Sequence, residues 1–488
     1  MLYRSTRTDS TMYTGSQAIL KGLAADGGLF VPSEIPTIDY KRLIDADYCT
    51  LGAEIVSLFL PEFSKDSMVA FFRKAYGKDK FSDHIVNLPK TGENEYTLEL
   101  WHGPTAAFKD FALVLMPYLM QEAKRINNIK SKTVILVATS GDTGKAALEG
   151  YKDIEGIDII VYYPYKGTSE IQRLQMDTQE GNNVKAFSFN GNFDDVQTAV
   201  KKAFLSSELN TYLEQQNIML SSANSINWGR LIPQIVYYFY AYILLVKQNS
   251  ITIDTLVDFC VPSGNFGDIM AGYYAKAMGL PINTLICASN KNNILTDFIN
   301  TGIYNIEREF HKTLSPSMDI LISSNLERLL YDTSNDPAYV NECFRSLSAV
   351  KQFTATDMLL KKVQETFFAG SADDIDVINM ISKKYELSNY LCDPHTATAY
   401  CVLEQYKAKT NARHPCIVLS TANPYKFSTS VLSAFTTSAF EDEFHAVSML
   451  ENLTSTTAPK SISSLQNKPV RFSTVVDAET IIQTIKDI

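Results

Sequence analysis

Lys109 lies inside the run Leu100 to Met120, LWHGPTAAFKDFALVLMPYLM. Phe108 precedes it and Asp110-Phe111-Ala112 follows, where a Gly-Pro turn gives way to an apolar helical pattern. Apolar surroundings disfavour the charged form of a lysine and so lower its pKa, which favours the neutral amine that makes a Schiff base. Lys109 is therefore the candidate reactive group. A second reading stays open from this stretch alone: a lysine at a helix start, its stem over the core and its ammonium in water.

A reactive amine needs something to react with, and two loops offer anion sites. Pro262-Ser263-Gly264-Asn265-Phe266-Gly267-Asp268 follows an apolar run and opens a helical one. Backbone N–H groups at a glycine-rich helix start make a phosphate cup, although a tight turn that merely starts a helix has the same look. In either case Asp268 is expected as the N-cap. Ala138-Thr139-Ser140-Gly141-Asp142-Thr143-Gly144 is the second loop. Gly144-Lys145 gives it a superficial likeness to a nucleotide P-loop. The gap from Gly141 is too short for that motif, however, and Ala146 stands where a Mg²⁺-binding hydroxyl belongs.

A helix N-terminus contributes only about 0.3 to 1 kcal/mol toward an anion. A phosphate dianion therefore calls for further donors. The run Ser221 to Arg230, SSANSINWGR, supplies Asn224, Asn227 and Arg230, whose guanidinium can grip a phosphate or carboxylate through two N–H groups. A polar loop capping the following greasy helix is the plainer reading of that run. Lys166 in Tyr163 to Ser169 is a further cation, or a surface turn. Thr421 ends an apolar strand and could meet a ligand there. His395 reads equally as a satisfied polar residue or a catalytic one.

The elements that must position these residues have an α/β rhythm. Short apolar runs at Thr133 to Ala138, Ile157 to Tyr163, Thr255 to Val261 and Cys416 to Leu419 each lead into a loop and then a helical pattern. Ligands of open α/β sheets gather beyond the carboxyl ends of the strands, where the candidate loops fall. Residues 1–90 read as an N-terminal helical domain. Residues 91–290 read as the α/β core, with a smaller substrate domain at about 130–225. Residues 291–390 read as a helical insertion, and 391–488 as the return to the core followed by a polar tail. Ile235 to Val246 falls short of the roughly 18 apolar residues of a membrane span and is expected to be a buried helix.

Composition removes several function classes. The 488 residues are 45% apolar and 20% charged, as in an ordinary folded protein of more than one domain. With 44 basic against 54 acidic residues the formal charge is -10, which argues against nucleic acid or an anionic membrane as partner. The 7 cysteines are scattered without a CxxC pair, so neither a disulfide framework nor a Cys-rich metal site is suggested. The N-terminal residues carry no secretory or transit pattern, and the expected location is the cytoplasm.

A candidate Schiff-base lysine with two anion loops suggests a pyridoxal-phosphate enzyme. A set of blocks in order sharpens this: LAADGGLFVP from Leu23, HGPTAAFKDFA from His102, TSGDTG from Thr139 and SEIQRLQM from Ser169. NGNFDD from Asn190, SSANSINWGR from Ser221, PSGNFGD from Pro262, SPSMDI from Ser315 and DPHTA from Asp393 follow. On these blocks the chain resembles the threonine synthases. The resemblance implies a fold-type II, tryptophan synthase β-like α/β fold with pyridoxal 5'-phosphate as cofactor. It also implies O-phospho-L-homoserine and water as substrates, L-threonine and phosphate as products, and a monomer or homodimer. Lys109 then matches the lysine that carries the cofactor. Gly264, Asn265, Phe266, Gly267 and Asp268 match the loop for the cofactor phosphate, and Thr421 the hydroxyl facing the pyridine nitrogen. Ser140, Thr143, Asn224, Asn227 and Arg230 fall in segments similar to the family's substrate-binding blocks.

Two departures matter. Asn423 in TANPYKF stands where the family usually has His, and Lys166 is displaced by one position from the family's basic residue before the SEIQ block. The rival readings are a related phospho-lyase that forms 2-oxobutyrate and a pyridoxal-phosphate-binding protein without catalysis.

Overall fold

The computed structural model describes residues 1–488 except Asp9, Ser82, Asp83, Ser140 and Gly167. Two sheets dominate. The larger has six strands in the order Phe367–Ser371, Ile282–Ser289, Val257–Pro262, Cys416–Ser420, Glu95–Glu99 and Lys90–Gly92. All neighbours run parallel except the last, which pairs antiparallel with Glu95–Glu99. The smaller has five parallel strands in the order Val475–Val476, Val184–Phe189, Ile157–Pro164, Lys132–Ala138 and Ile218–Ser222. The expected α/β class is observed, and strands such as Val257–Pro262, apolar but for Asp258, are buried along their whole length, as central parallel strands must be.

The helix Trp228–Lys247 is the spine of the larger domain. By length and composition it could cross a membrane, but 83% of its most apolar window is buried inside the protein. It extends the expected apolar stretch by several residues toward its N-terminus and packs on the helices Gly267–Ala277 and Tyr48–Phe59. Tyr3 and Phe59 from the N-terminal region meet Trp228 edge-on, with ring centroids 5.4 and 5.6 Å away. The N-terminal region therefore shares the main core.

Three expectations about segments need correction. Residues 1–90 are not purely helical: Leu2–Ser5 lies between Tyr13–Thr14 and Phe30–Pro32 in an antiparallel sheet. The helical insertion at 291–390 contains the strand Phe367–Ser371, which forms the edge of the larger sheet, and a ladder between Ile303–Asn305 and Gln352–Thr354. The α/β pattern thus resumes well before Cys392. The polar tail also returns to the body of the protein, since Val475–Val476 pairs with Val184–Phe189.

The carboxyl ends of the strands bring the candidate loops together. From the larger sheet come the segments after Glu99, Pro262, Ser289 and Ser420, and from the smaller one those after Ala138, Pro164 and Ser222.

Candidate active site

Lys109 sits at the start of a short helix, Asp110–Leu113, where the chain turns out of the His102 to Ala107 loop. Two backbone hydrogen bonds fix that turn against the strand end at Thr421 and together make the antiparallel bridge of Ala107 with Ala422: Phe108 N–H donates to Thr421 O at 2.8 Å, and Asn423 N–H donates to Ala106 O at 3.1 Å. Ala106 is held at φ 58°, a left-handed conformation that costs a non-glycine residue energy and persists only where the surroundings impose it. Asp110 folds the loop back by accepting from Thr105 N–H at 2.9 Å and from Thr105 Oγ1 at 2.6 Å. Burial pushes its carboxyl up to about 6. A side chain at Gly103 would meet Asp110 Oδ2 at 2.6 Å, so glycine is required there.

The Lys109 side chain is 12% exposed. Its Nζ donates to Ser317 Oγ at 3.2 Å and lies 3.7 Å from Asp142 Oδ2. Burial lowers its pKa from the ordinary lysine value; the Asp142 charge opposes this, and the Lys426 and Arg230 charges add to it. The buried, neutral-leaning amine is the environment the sequence suggested.

In the loop from Pro262 to Asp268, Phe266 takes the left-handed conformation at φ 63° and caps the helix Gly267–Ala277 with no side-chain hydrogen bond. Asp268 is therefore not the N-cap. It lies inside the first turn, accepts from Ser263 Oγ at 2.7 Å and from Ile269 N–H at 2.8 Å, and is pushed up to about 6 by burial. Among the described residues, the backbone N–H groups of Gly264 to Gly267 have no protein acceptor. The carbonyls of the loop are held instead: Gly264 O accepts from Ser323 Oγ at 2.8 Å, and Asn265 O from Asn325 N–H and Nδ2, each at 3.0 Å. A side chain at Gly264 would meet Ser317 O at 2.8 Å. Carbonyls tied back and N–H groups left unpaired at a helix start make an anion cup.

The second loop is built differently. Thr139 Oγ1 accepts from the N–H groups of Gly141 and Gly144 at 3.0 and 3.1 Å, so a side chain of the loop itself takes two of its backbone donors. What it presents is the carboxylate of Asp142, between Lys426 Nζ at 2.7 Å and Lys109 Nζ at 3.7 Å, with Gln172 Nε2 donating at 2.8 Å. Burial alone would raise this carboxyl, but the Lys426 and Lys109 charges outweigh it and hold the group well below the usual carboxylate range. Lys426 also donates to Thr105 O at 3.0 Å, tying the pair to the Lys109 loop. Thr143 is half-buried, and the Ser140 assignment lies outside the described residues.

The remaining assignments divide. Arg230 is buried, pushed down to about 10 by that burial, and donates through Nη1 to Ala223 O at 2.9 Å. Its Nε is buried with no partner, as is the neighbouring Ser222 hydroxyl. Asn224 is exposed. Asn227 is committed to structure: Oδ1 caps the helix through Gly229 N–H at 2.8 Å and Nδ2 donates to Ile19 O at 2.9 Å. Thr421 is buried at the strand end. Lys166 is exposed. His395 is buried, accepts the Ser317 N–H at Nε2 at 3.2 Å and contacts Asp393 through Nδ1 at 2.7 Å. Sequence reasoning missed Asp142, Lys426 and Ser317. Lys426 carried the signal that exposed Lys109, a lysine among Pro424, Tyr425 and Phe427.

Family models place this geometry. "Threonine synthase N terminus" matches residues 2–76, "Pyridoxal-phosphate dependent enzyme" residues 86–360, and "Threonine synthase, C-terminal" residues 396–485. Threonine synthase of Saccharomyces cerevisiae is 35% identical over 100% of this chain and 98% of its own length. The chain belongs to the threonine synthase family. Threonine synthase-like 1 of Macaca fascicularis is 40% identical over 86% of this chain. The chain spans only 58% of that relative's length. The solved structure of pyridoxal-phosphate-bound threonine synthase from Brucella melitensis superposes with a TM-score of 0.88 at 35% identity, covering 100% of this chain and 99% of that one.

The residues present fit the family's cofactor. A phosphate would find the unpaired N–H groups of Gly264 to Gly267 and an aldehyde the Lys109 amine, with Thr421 buried at the end of the strand Cys416–Ser420. The glycine at position 264 keeps the cup open, because any Cβ there would press on Ser317 O.

Proposed function

We propose that this threonine synthase family member converts O-phospho-L-homoserine and water to L-threonine and phosphate with pyridoxal 5'-phosphate held on Lys109. The observation that carries the reading is the buried Lys109 amine, which contacts the Ser317 turn that closes over Gly264 and feels the charge of Arg230, whose buried Nε has no partner among the described residues. When bound, the cofactor supplies an electron sink that makes the substrate's Cα proton removable. The chain supplies position and proton control. Lys109 Nζ takes the proton from Cα and moves a proton at Cβ, a task suited to an amine whose pKa burial has lowered. Arg230 receives the leaving phosphate through its free N–H. Asp142 and Lys426 hold the opposite side, their mutual charge keeping the carboxylate ionised beside the reacting amine. Thr421 offers a neutral partner to the ring nitrogen, which leaves that nitrogen largely unprotonated.

Asn423, where the resemblance leads one to expect His, has a local duty: its Oδ1 accepts from Tyr425 N–H at 3.0 Å and caps the turn Pro424–Phe427. A helix-capping Asn at that position supports a structural role and leaves the reaction with Lys109. All of the cysteines are free and buried, which supports a reducing compartment and hence the cytoplasm.

The test is a product analysis. Purified protein with pyridoxal phosphate and O-phospho-L-homoserine is expected to release threonine and phosphate in equal amounts. Phosphate accompanied by 2-oxobutyrate and ammonia, without threonine, would assign the rival phospho-lyase reaction. Cofactor binding with no product would leave a binding protein.

A further inference from the structure

The turn Pro316–Met318 is short, yet three parts of the site converge on it. Ser317 Oγ accepts from Lys109 Nζ at 3.2 Å, Ser317 O closes over Gly264, and Ser317 N–H donates to His395 Nε2 at 3.2 Å. That last bond decides the imidazole's form: Nε2 is an acceptor, so the ring proton sits on Nδ1 and is donated to Asp393 Oδ1 at 2.7 Å. Asp393 cannot drift, because the same Oδ1 accepts from His395 N–H at 2.9 Å and its other oxygen accepts from Thr396 Oγ1. The far side of the turn is held by Asn290, whose Nδ2 reaches Ser315 Oγ at 3.0 Å and Asp319 Oδ1 at 2.8 Å.

We propose that Ser317 is the docking group for the Lys109 amine whenever that amine is not bonded to the cofactor, and that His395, oriented by Asp393, is the positioning residue that aims Ser317. The inference rests on the assignment of Lys109 as the cofactor lysine. A hydroxyl suits this duty because it accepts from an ammonium and donates to a neutral amine, so it holds Nζ in either protonation state. His395 never touches the reacting atoms. Its effect passes through the backbone N–H of Ser317, which fixes where the hydroxyl can stand. The substrate must displace Lys109 and Lys109 must later return, so a docked amine shortens the search for the attacking geometry.

The experiment follows attachment of pyridoxal phosphate to cofactor-free protein by stopped-flow absorbance, for the wild type and for Ser317→Ala, Ser317→Thr, His395→Leu and His395→Gln. Attachment is expected to slow by about tenfold in Ser317→Ala and to recover in Ser317→Thr. His395→Leu is expected to slow attachment similarly, and His395→Gln, which keeps an acceptor near Nε2, to recover part of the rate. Melting temperatures are not expected to follow that order. Nitrogen-15 NMR of the wild-type imidazoles is expected to show a buried ring protonated on Nδ1 and absent from the spectrum of His395→Gln. Wild-type rates in Ser317→Ala, or a His395 ring protonated on Nε2, would overturn the proposal. A wild-type protein that forms no absorbance band at all would instead overturn the assignment of Lys109.

Discussion

The loops at Pro262 to Asp268 and Ala138 to Gly144 share one plan, a parallel strand turning through glycines into a helix, and they do opposite electrostatic work. The first ties back its carbonyls and leaves the N–H groups of Gly264 to Gly267 without protein acceptors. The second gives the N–H groups of Gly141 and Gly144 to Thr139 and presents the Asp142 carboxylate to two lysines. The first offers backbone donors to an anion, and the second sets a carboxylate against two lysines. Lys109 stands between them, so an amine and a phosphate on one molecule can be held at the same time. The glycine spacing in the two sequences is similar, and the difference lies in two side chains, Thr139 that takes the Gly141 and Gly144 donors and Asp142 that faces the lysines.

The largest expected effect removes what lies between the loops. Lys109→Ala is expected to lower threonine formation by at least about 10³-fold and to abolish the cofactor absorbance band, both read on the purified variant. A variant that keeps the band would mean that the two loops do not meet at Lys109.

Next comes the cation side. Lys426→Met leaves Asp142 buried with Lys109 as its one ion-pair partner among the described residues, and is expected to cost about 3 to 5 kcal/mol of stability in denaturant titration. The sign with pH follows from the depressed Asp142 value. Its contribution is fully present above the unfolded carboxylate pKa, about 3.9, and is lost as pH falls through the lower folded value. Wild type should therefore lose stability below about pH 4, and Lys426→Met should lose less over the same interval. Equal acid profiles would remove Asp142 from the account.

The anion side is tested by Gly264→Ala. Its Cβ would stand 2.8 Å from Ser317 O, so backbone must move, at a cost of about 1 to 3 kcal/mol. Cofactor affinity, read by equilibrium titration, is expected to fall by about ten- to a hundredfold, while the acid profile set by Asp142 stays as in wild type. The smallest effect is expected from Arg230→Lys, which keeps the charge and loses the second donor. KM for the phosphorylated substrate should rise by about tenfold with little change in cofactor affinity.

The anion side of this comparison was legible in the sequence because each of its signals is local. Lys109 stands out by its neighbours, and strand, glycines and helix follow one another at Pro262. The cation side was not, because Asp142 and Lys426 are neutralised by each other across two segments far apart in the chain. Ser317 is 208 residues from Lys109 and sits in a turn with nothing to distinguish its hydroxyl. Asp268 was expected to cap its helix as acidic residues commonly do. The left-handed Phe266 took that place, and a side-chain cap would have blocked the N–H groups that the cup exposes. The edge strand Phe367–Ser371 was hidden inside a helical stretch because five residues ending in Gly-Ser carry almost no periodicity.

The central claim is that Lys109, set between these two loops, is the cofactor lysine. Borohydride reduction of the protein with bound pyridoxal phosphate, followed by peptide mass spectrometry, tests it most directly. The account predicts one pyridoxyl group on the peptide that contains Lys109; a label on Lys426 or Lys145 with Lys109 unmodified would contradict it.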